Sequence, residues 1–210
     1  MPSSSTDTFA RAWRGWDGTG SAASEARLAE LLAFYEEPHR HYHGTSHIAD
    51  LLERAKSRRF ADPRRVTAAI FYHDAIYAVG ASDNEARSAA LAVQNLRTLG
   101  WSTAEATRVA AMIRATARHS RTGDPDTDRF LDLDLAILAD PPERYAVYRQ
   151  SIMDEYRTRY SHGDYRRGRV RLFIEPTLAG SPIFVSGTFP DMEARARANL
   201  VAERDWLLGD

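Results

Sequence analysis

The 210-residue chain contains no cysteine. Disulfides, iron–sulfur clusters, cysteine-ligated zinc and thiol nucleophiles are excluded, so any transition-metal site must draw on His, Asp and Glu. Lysine is nearly missing as well: Lys56 is the single lysine among 28 basic residues. A coding bias toward Arg and Ala explains this more simply than a need for guanidinium groups, and it lowers the weight of any one Arg. No run of 18 apolar residues occurs, and the opening MPSSSTDTFARAW has no apolar core of the signal-peptide kind. A cytoplasmic chain with no membrane partner is expected. Basic charge is not in excess: the formal net charge is −1, which argues against nucleic acid as the main partner. There is no P-loop, no glycine-rich phosphate cradle and no sustained strand alternation.

What is present is enough apolar residue to bury a core, 43% of the chain against 27% charged. The apolar spacing is helical almost throughout. Leu28, Leu31, Leu32 and Tyr35 share one face, which Pro38 ends. Thr45 reads as the N-cap of a helix carrying Ile48, Leu51, Leu52 and Ala55. Pro63 opens a helix whose inward face runs Val66, Ala69, Ile70, His73 and Tyr77, with Asp74 on its flank. Ser82 with Glu85, and Ser102 with Glu105, read as capping boxes. Further helices are expected over roughly 127–139, 142–160, 164–178 and 190–208, with the apolar IFV at 183–185 as the one strand-like piece. The expectation is a single all-α domain over 1–210, a bundle of about eight or nine helices, with residues 1–8 disordered.

Three stretches put polar groups where an apolar face should be. FYHDAIY, residues 71–77, sets His73 inside an apolar stripe. HRHYHGTSH, residues 39–47, holds four of the seven histidines. His47 falls beside the apolar face that starts at Ile48, His43 stands just before the cap, and His39 and His41 are expected at the surface. FLDLDLAIL, residues 130–138, interrupts a strongly apolar helix with Asp132 and Asp134. Buried imidazoles and carboxylates cost free energy unless paired or bound to a metal. One Asp is expected inward and one outward, with Asp134 the first choice as ligand and Asp132 either supporting it or replacing it. Two imidazoles and two carboxylates suit a divalent transition ion, Mn, Fe, Co, Ni or Zn, with Mg possible but less well matched.

An H…HD…D arrangement on successive helices resembles the HD-domain superfamily of metal-dependent phosphohydrolases. RHYHGTSHI, FYHDAIY followed by DNEARSA, DLDLAIL, YRRGR and EARARANL are similar to one subfamily of predicted HD phosphohydrolases, from about residue 28 to about residue 204. SIMDEY departs from that pattern, with Met153 where an Arg is expected. The resemblance implies an HD-type bundle and metal ligation by His47, His73, Asp74 and Asp134. It implies a metal-activated water that cleaves the phosphoester of a nucleotide or another small phosphorylated metabolite. His119 falls where some HD enzymes place an added His for a second metal or the substrate; as a helix C-terminal residue it also suits the dipole. Glu85 is a candidate acid or base beside its capping role. Arg40, His43 and Arg169 are candidates for contacting the substrate. The alternatives are a non-catalytic regulatory HD module and an HD-type di-iron oxygenase, which needs further ligands.

Overall fold

The computed structural model describes residues 4–180, 182–188 and 190–209. Among them the chain is all-helical, with no strand. Ten helices follow in order: α1 Ser5–Asp17, α2 Ala22–Tyr35, α3 Thr45–Lys56, α4 Pro63–Tyr72, α5 Asn84–Thr98, α6 Thr103–Ala115, α7 Pro125–Asp134, α8 Pro142–Tyr156, α9 from His162 and α10 Pro190–Leu208. α7 tightens into a 3₁₀ turn over Leu135–Ala139, and α9 widens into a π turn over Val170–Ile174 before ending at Ala179. No helix among the described residues is long and apolar enough to cross a membrane.

The count is ten rather than eight or nine because residues 5–8, expected to be disordered, open a helix. Residues 1–3 lie outside the described residues. From Ser5 the chain is helical, and Ser4 caps it: its hydroxyl accepts from Asp7 N at 3.1 Å, and the Asp7 carboxylate accepts from Ser4 N at 3.3 Å. Phe9 and Trp13 then bury completely, with ring centroids 5.0 and 5.2 Å from Phe71. A serine-rich start looked solvated, but a capping box ahead of aromatics four residues apart is a helix signal.

Other helix ends also differ from expectation. The cap of α3 is Gly44, not Thr45. A Cβ at position 44 would sit 3.2 Å from the Tyr35 carbonyl oxygen, and the Thr45 hydroxyl is bonded instead to Ser5 Oγ at 3.0 Å. The Ser102–Glu105 box forms. The Ser82–Glu85 box does not: Asp83 is the cap residue, without a side-chain bond. The IFV segment lies in a loop and is not a strand. One connected apolar core runs from Phe9 to Leu207. α6 packs along α5 and α4, while α3, α4 and α6 all meet α7. That junction is where the three anomalous stretches arrive.

Candidate metal centre

His47 lies in the first turn of α3 and points inward, 5% exposed. His73 ends α4, but the helix stops at Tyr72 rather than running on to Tyr77. The reason is that residues 74–78 find better backbone partners elsewhere. The Arg40 guanidinium donates to the carbonyls of Asp74 at 2.6 Å, Ala75 at 2.9 Å and His43 at 3.1 Å. From α5, the Ser88 hydroxyl accepts from Ile76 N at 3.0 Å, and the Asn84 amide brackets both backbone groups of Ala78 at 3.0 Å. The turn brings Asp74 Oδ2 to 3.1 Å from His73 Nε2. On a continuing helix the two side chains would diverge by about 100°.

His73 Nδ1 lies 3.0 Å from the Ile70 carbonyl oxygen. A carbonyl only accepts, so that nitrogen carries a proton, and Nε2 is the atom the ring turns the other way. Around Nε2 sit Asp74 Oδ2 at 3.1 Å, His47 Nε2 at 3.2 Å and Asp134 Oδ1 at 3.4 Å. His47 Nε2 is itself 3.2 Å from Asp134 Oδ1 and 3.7 Å from Asp74 Oδ2. The donor atoms of His47, His73 and Asp134 all lie within 4.8 Å of one another, and Asp74 reaches both imidazoles from the side. Four electron-rich atoms converging in a buried place call for positive charge among them. The titration behaviour expresses the same demand. Burial works against a charge on His73, but Asp74 and Asp134 outweigh it and hold the imidazole well above its ordinary range. Burial likewise opposes ionisation of both carboxylates, and His73 prevails, holding each below the ordinary carboxylate range. The imidazoles form a buried floor, whereas the Asp74 and Asp134 side chains remain 18% and 13% exposed, so the cluster opens on its carboxylate side. The donors fit a divalent transition ion held by His47, His73 and Asp134 with Asp74 in reach, and a backbone acceptor already fixes the His73 tautomer as such ligands require.

His119 joins this cluster. Its Nε2 donates to Asp134 Oδ2 at 2.9 Å, which leaves Oδ1 facing the two imidazoles. It does so from a left-handed backbone, φ 45°, the one positive φ among described non-glycine residues. A strained conformation of about 1 kcal/mol or more at such a place accords with a positioning role. His43 stands one shell out. Its Nδ1 donates to Glu155 Oε2 at 2.7 Å, its ring stacks on Tyr77 at 4.3 Å, and it meets His47 edge-on at 6.0 Å. Burial would lower the His43 pKa, but Glu155 raises it above the ordinary value.

The remaining candidates lie elsewhere. Arg40 is buried and spends its donors on the turn that carries Asp74 and on Glu37 at 2.9 Å. Arg169 donates to Glu203 at 3.0 and 3.2 Å and to the Tyr148 hydroxyl at 3.2 Å, behind the Tyr148 and Tyr42 rings. Glu85 opens α5, and among the described residues its carboxylate has no hydrogen bond or ion pair to the cluster. Neither Asp132 nor Asp134 turns outward. Asp132 is fully buried and accepts from Val185 N at 2.6 Å, Ser186 N at 3.0 Å and the Ser186 hydroxyl, so it anchors the loop before α10. His41 is exposed, but His39 is half-buried with Nε2 3.1 Å from the Tyr77 carbonyl oxygen.

Glu155 was not foreseen. It is fully buried and accepts from Tyr42 N and His43 N, both at 2.8 Å, besides the His43 ring and the Tyr77 hydroxyl at 3.2 Å. Its place in SIMDEY, a carboxylate between Met153 and Tyr156 on an inward face, was the available signal. No family model, curated protein or solved structure matches this chain.

Proposed function

We propose that this protein is a metal-dependent phosphohydrolase, its divalent transition ion held by His47, His73, Asp134 and Asp74. The observation that carries the reading is the convergence on His73 Nε2 of two carboxylate oxygens and a second imidazole nitrogen, at 3.1 to 3.4 Å. The likeness of the same residues to the H…HD…D pattern favours a phosphoester as the bond cleaved. When bound, a divalent ion there supplies positive charge that polarises a phosphoryl oxygen and acidifies water. The protein's own part is geometric. Ile70 fixes the His73 tautomer, His119 holds one oxygen of Asp134, and Arg40, Asn84 and Ser88 hold the turn that presents Asp74. The open carboxylate side leaves room for a substrate to approach. An HD-type bundle and the phosphorylated small-molecule substrate belong to this same reading.

A di-iron oxygenase would need donors beyond these. Asp83 and Glu85 are the nearest in sequence, and among the described residues neither joins the group. The test is to measure metal in the purified protein and to screen nucleotides and small phosphoesters with Mn²⁺, Co²⁺ or Ni²⁺ added. Metal-dependent release of phosphate that His73→Ala abolishes is expected. Bound metal without any phosphatase activity would transfer the chain to the regulatory-module reading, and iron-dependent oxygen uptake would transfer it to the oxygenase.

A further inference from the structure

A cleft of about 900 Å³ lies beside the cluster and includes His119 in its lining. It is of the size that small-molecule sites have. None of the cluster's His47, His73 or Asp134 lines it, so it is an adjoining chamber and not the centre itself. Its walls are Leu135, Leu172, Phe173, Ile183, Phe184 and Val185, with Arg118 and Arg121 near His119. We infer that this cleft receives the organic part of the substrate, and that this part is a hydrocarbon body, so that the enzyme prefers phosphomonoesters of apolar alcohols over nucleotides. This rests on the phosphohydrolase reading above.

Four observations carry it. First, hydrogen-bond donors of the walls are already used. Ser120 Oγ donates to the Arg118 carbonyl at 3.3 Å and Thr177 Oγ1 to the Phe173 carbonyl at 2.6 Å. The backbone N–H groups of Ile183 and Phe184 donate to Glu193 and that of Val185 to Asp132, so these N–H groups are not free for a ligand. A nucleobase, whose edge must be hydrogen-bonded on burial, would find few free donors on these walls, whereas a hydrocarbon needs none. Second, Leu172 is 77% exposed, the most exposed large apolar side chain described. The π turn Val170–Ile174 sets it and Phe173 on the cleft, and such turns often mark functional sites. Third, the anionic end is provided for. Arg118 is exposed with no ion pair among the described residues, and the exposed Arg121 is only loosely paired, 3.9 Å from Asp128. Both stand at the His119 end, next to the carboxylate that His119 holds. Fourth, the wall is held in place. Asp132 and Glu193 tie down the 183–186 segment from two helices, so the chamber is built beforehand rather than formed by the ligand.

Binding and turnover test the two readings separately. Calorimetric titration with non-hydrolysable alkyl phosphonates from methyl to octyl reads the cleft alone. Affinity is expected to rise with chain length, by up to about 4-fold for each methylene that is buried. Leu172→Glu is expected to flatten that rise while leaving methyl phosphonate binding unchanged, and being exposed it leaves the fold intact. Arg118→Glu is expected to weaken every member of the series by a similar factor. Turnover of alkyl phosphates should show the chain-length effect in KM more than in kcat. Affinity independent of chain length, or tighter binding of a nucleoside phosphonate than of octyl phosphonate, overturns the inference even if phosphate esters are hydrolysed. A chain-length effect that Leu172→Glu removes, with no ester hydrolysed, supports the cleft and overturns the phosphohydrolase reading instead.

Discussion

The surroundings of His73 and of Glu203 are built from the same kinds of group, and they balance differently. Glu203 is fully buried and receives Arg169 through two nitrogens at 3.0 and 3.2 Å and the Tyr145 hydroxyl as well, while Arg169 also reaches Tyr148. One negative charge meets one positive charge, and each acceptor faces a donor. Around His73, two carboxylates and two imidazole nitrogens crowd one point, and the carboxylates hold the imidazole well above its ordinary range. Both bury charge. The matched one needs nothing further, so Arg169 is read as a structural residue. The other gathers two imidazoles and two carboxylates at one buried point, a donor set that could hold a metal ion.

The contrast can be broken at four points. His73→Ala is expected to have the largest effect: bound metal falls from about one ion per chain to background, and any metal-dependent activity drops by about 10³-fold or more, measured by elemental analysis and phosphate release. After chelation, the same substitution should cost less stability than Glu203→Ala. Glu203→Ala strands the Arg169 guanidinium and should lower unfolding free energy by about 3–5 kcal/mol in urea titrations, with metal content unchanged. His119→Ala frees Asp134 Oδ2 and is expected to weaken metal affinity by about 10- to 100-fold, read by competition with a chelator, without comparable loss of stability.

The smallest effect is expected at Glu155, between the two regions. Burial works to raise its pKa, but His43 and two backbone donors hold it below the ordinary 4.5. Its contribution to stability is therefore complete above about pH 4.5 and lost as pH falls through the lowered value. His43, raised above 6.5, contributes fully below that pH and loses its share as pH rises through the raised value. Glu155→Gln should thus flatten the stability profile at both edges of the interval from about 4.5 to about 6.5 and cost about 1–3 kcal/mol inside it. An unchanged profile would show that the pair is not ionised there.

Much of the fold was legible because helical burial repeats locally. The stripes around Leu31, Ile48 and Val66 all mark helices whose marked faces are buried, and the Ser102–Glu105 box forms as read. α1 escaped notice because six small polar residues outweighed Phe9 and Trp13, whose partner Phe71 is far along the chain. Within the candidate site, the inward turn of His47 and His73 was legible from their place on an apolar face. The choice between Asp132 and Asp134 was not, since two residues on one helix differ only in what other segments bring opposite them. Nor was the fate of Arg40, because a guanidinium in sequence looks the same whether it will meet a ligand or a carbonyl of its own chain.

By itself, the sequence determined that the chain is helical, that it has an apolar core, and that any metal must be held by nitrogen and oxygen, since periodicity and residue type are local properties. Tertiary structure alone decided that α4 ends at Tyr72, that Asp132 holds a loop while Asp134 faces two imidazoles, and that His119 serves Asp134. The physical reason is the range of the interactions. A helix is specified by neighbours three and four residues away, whereas the balance of charge at a buried point depends on groups that α3, α4, α7 and the turn after α6 bring together from distant parts of the chain.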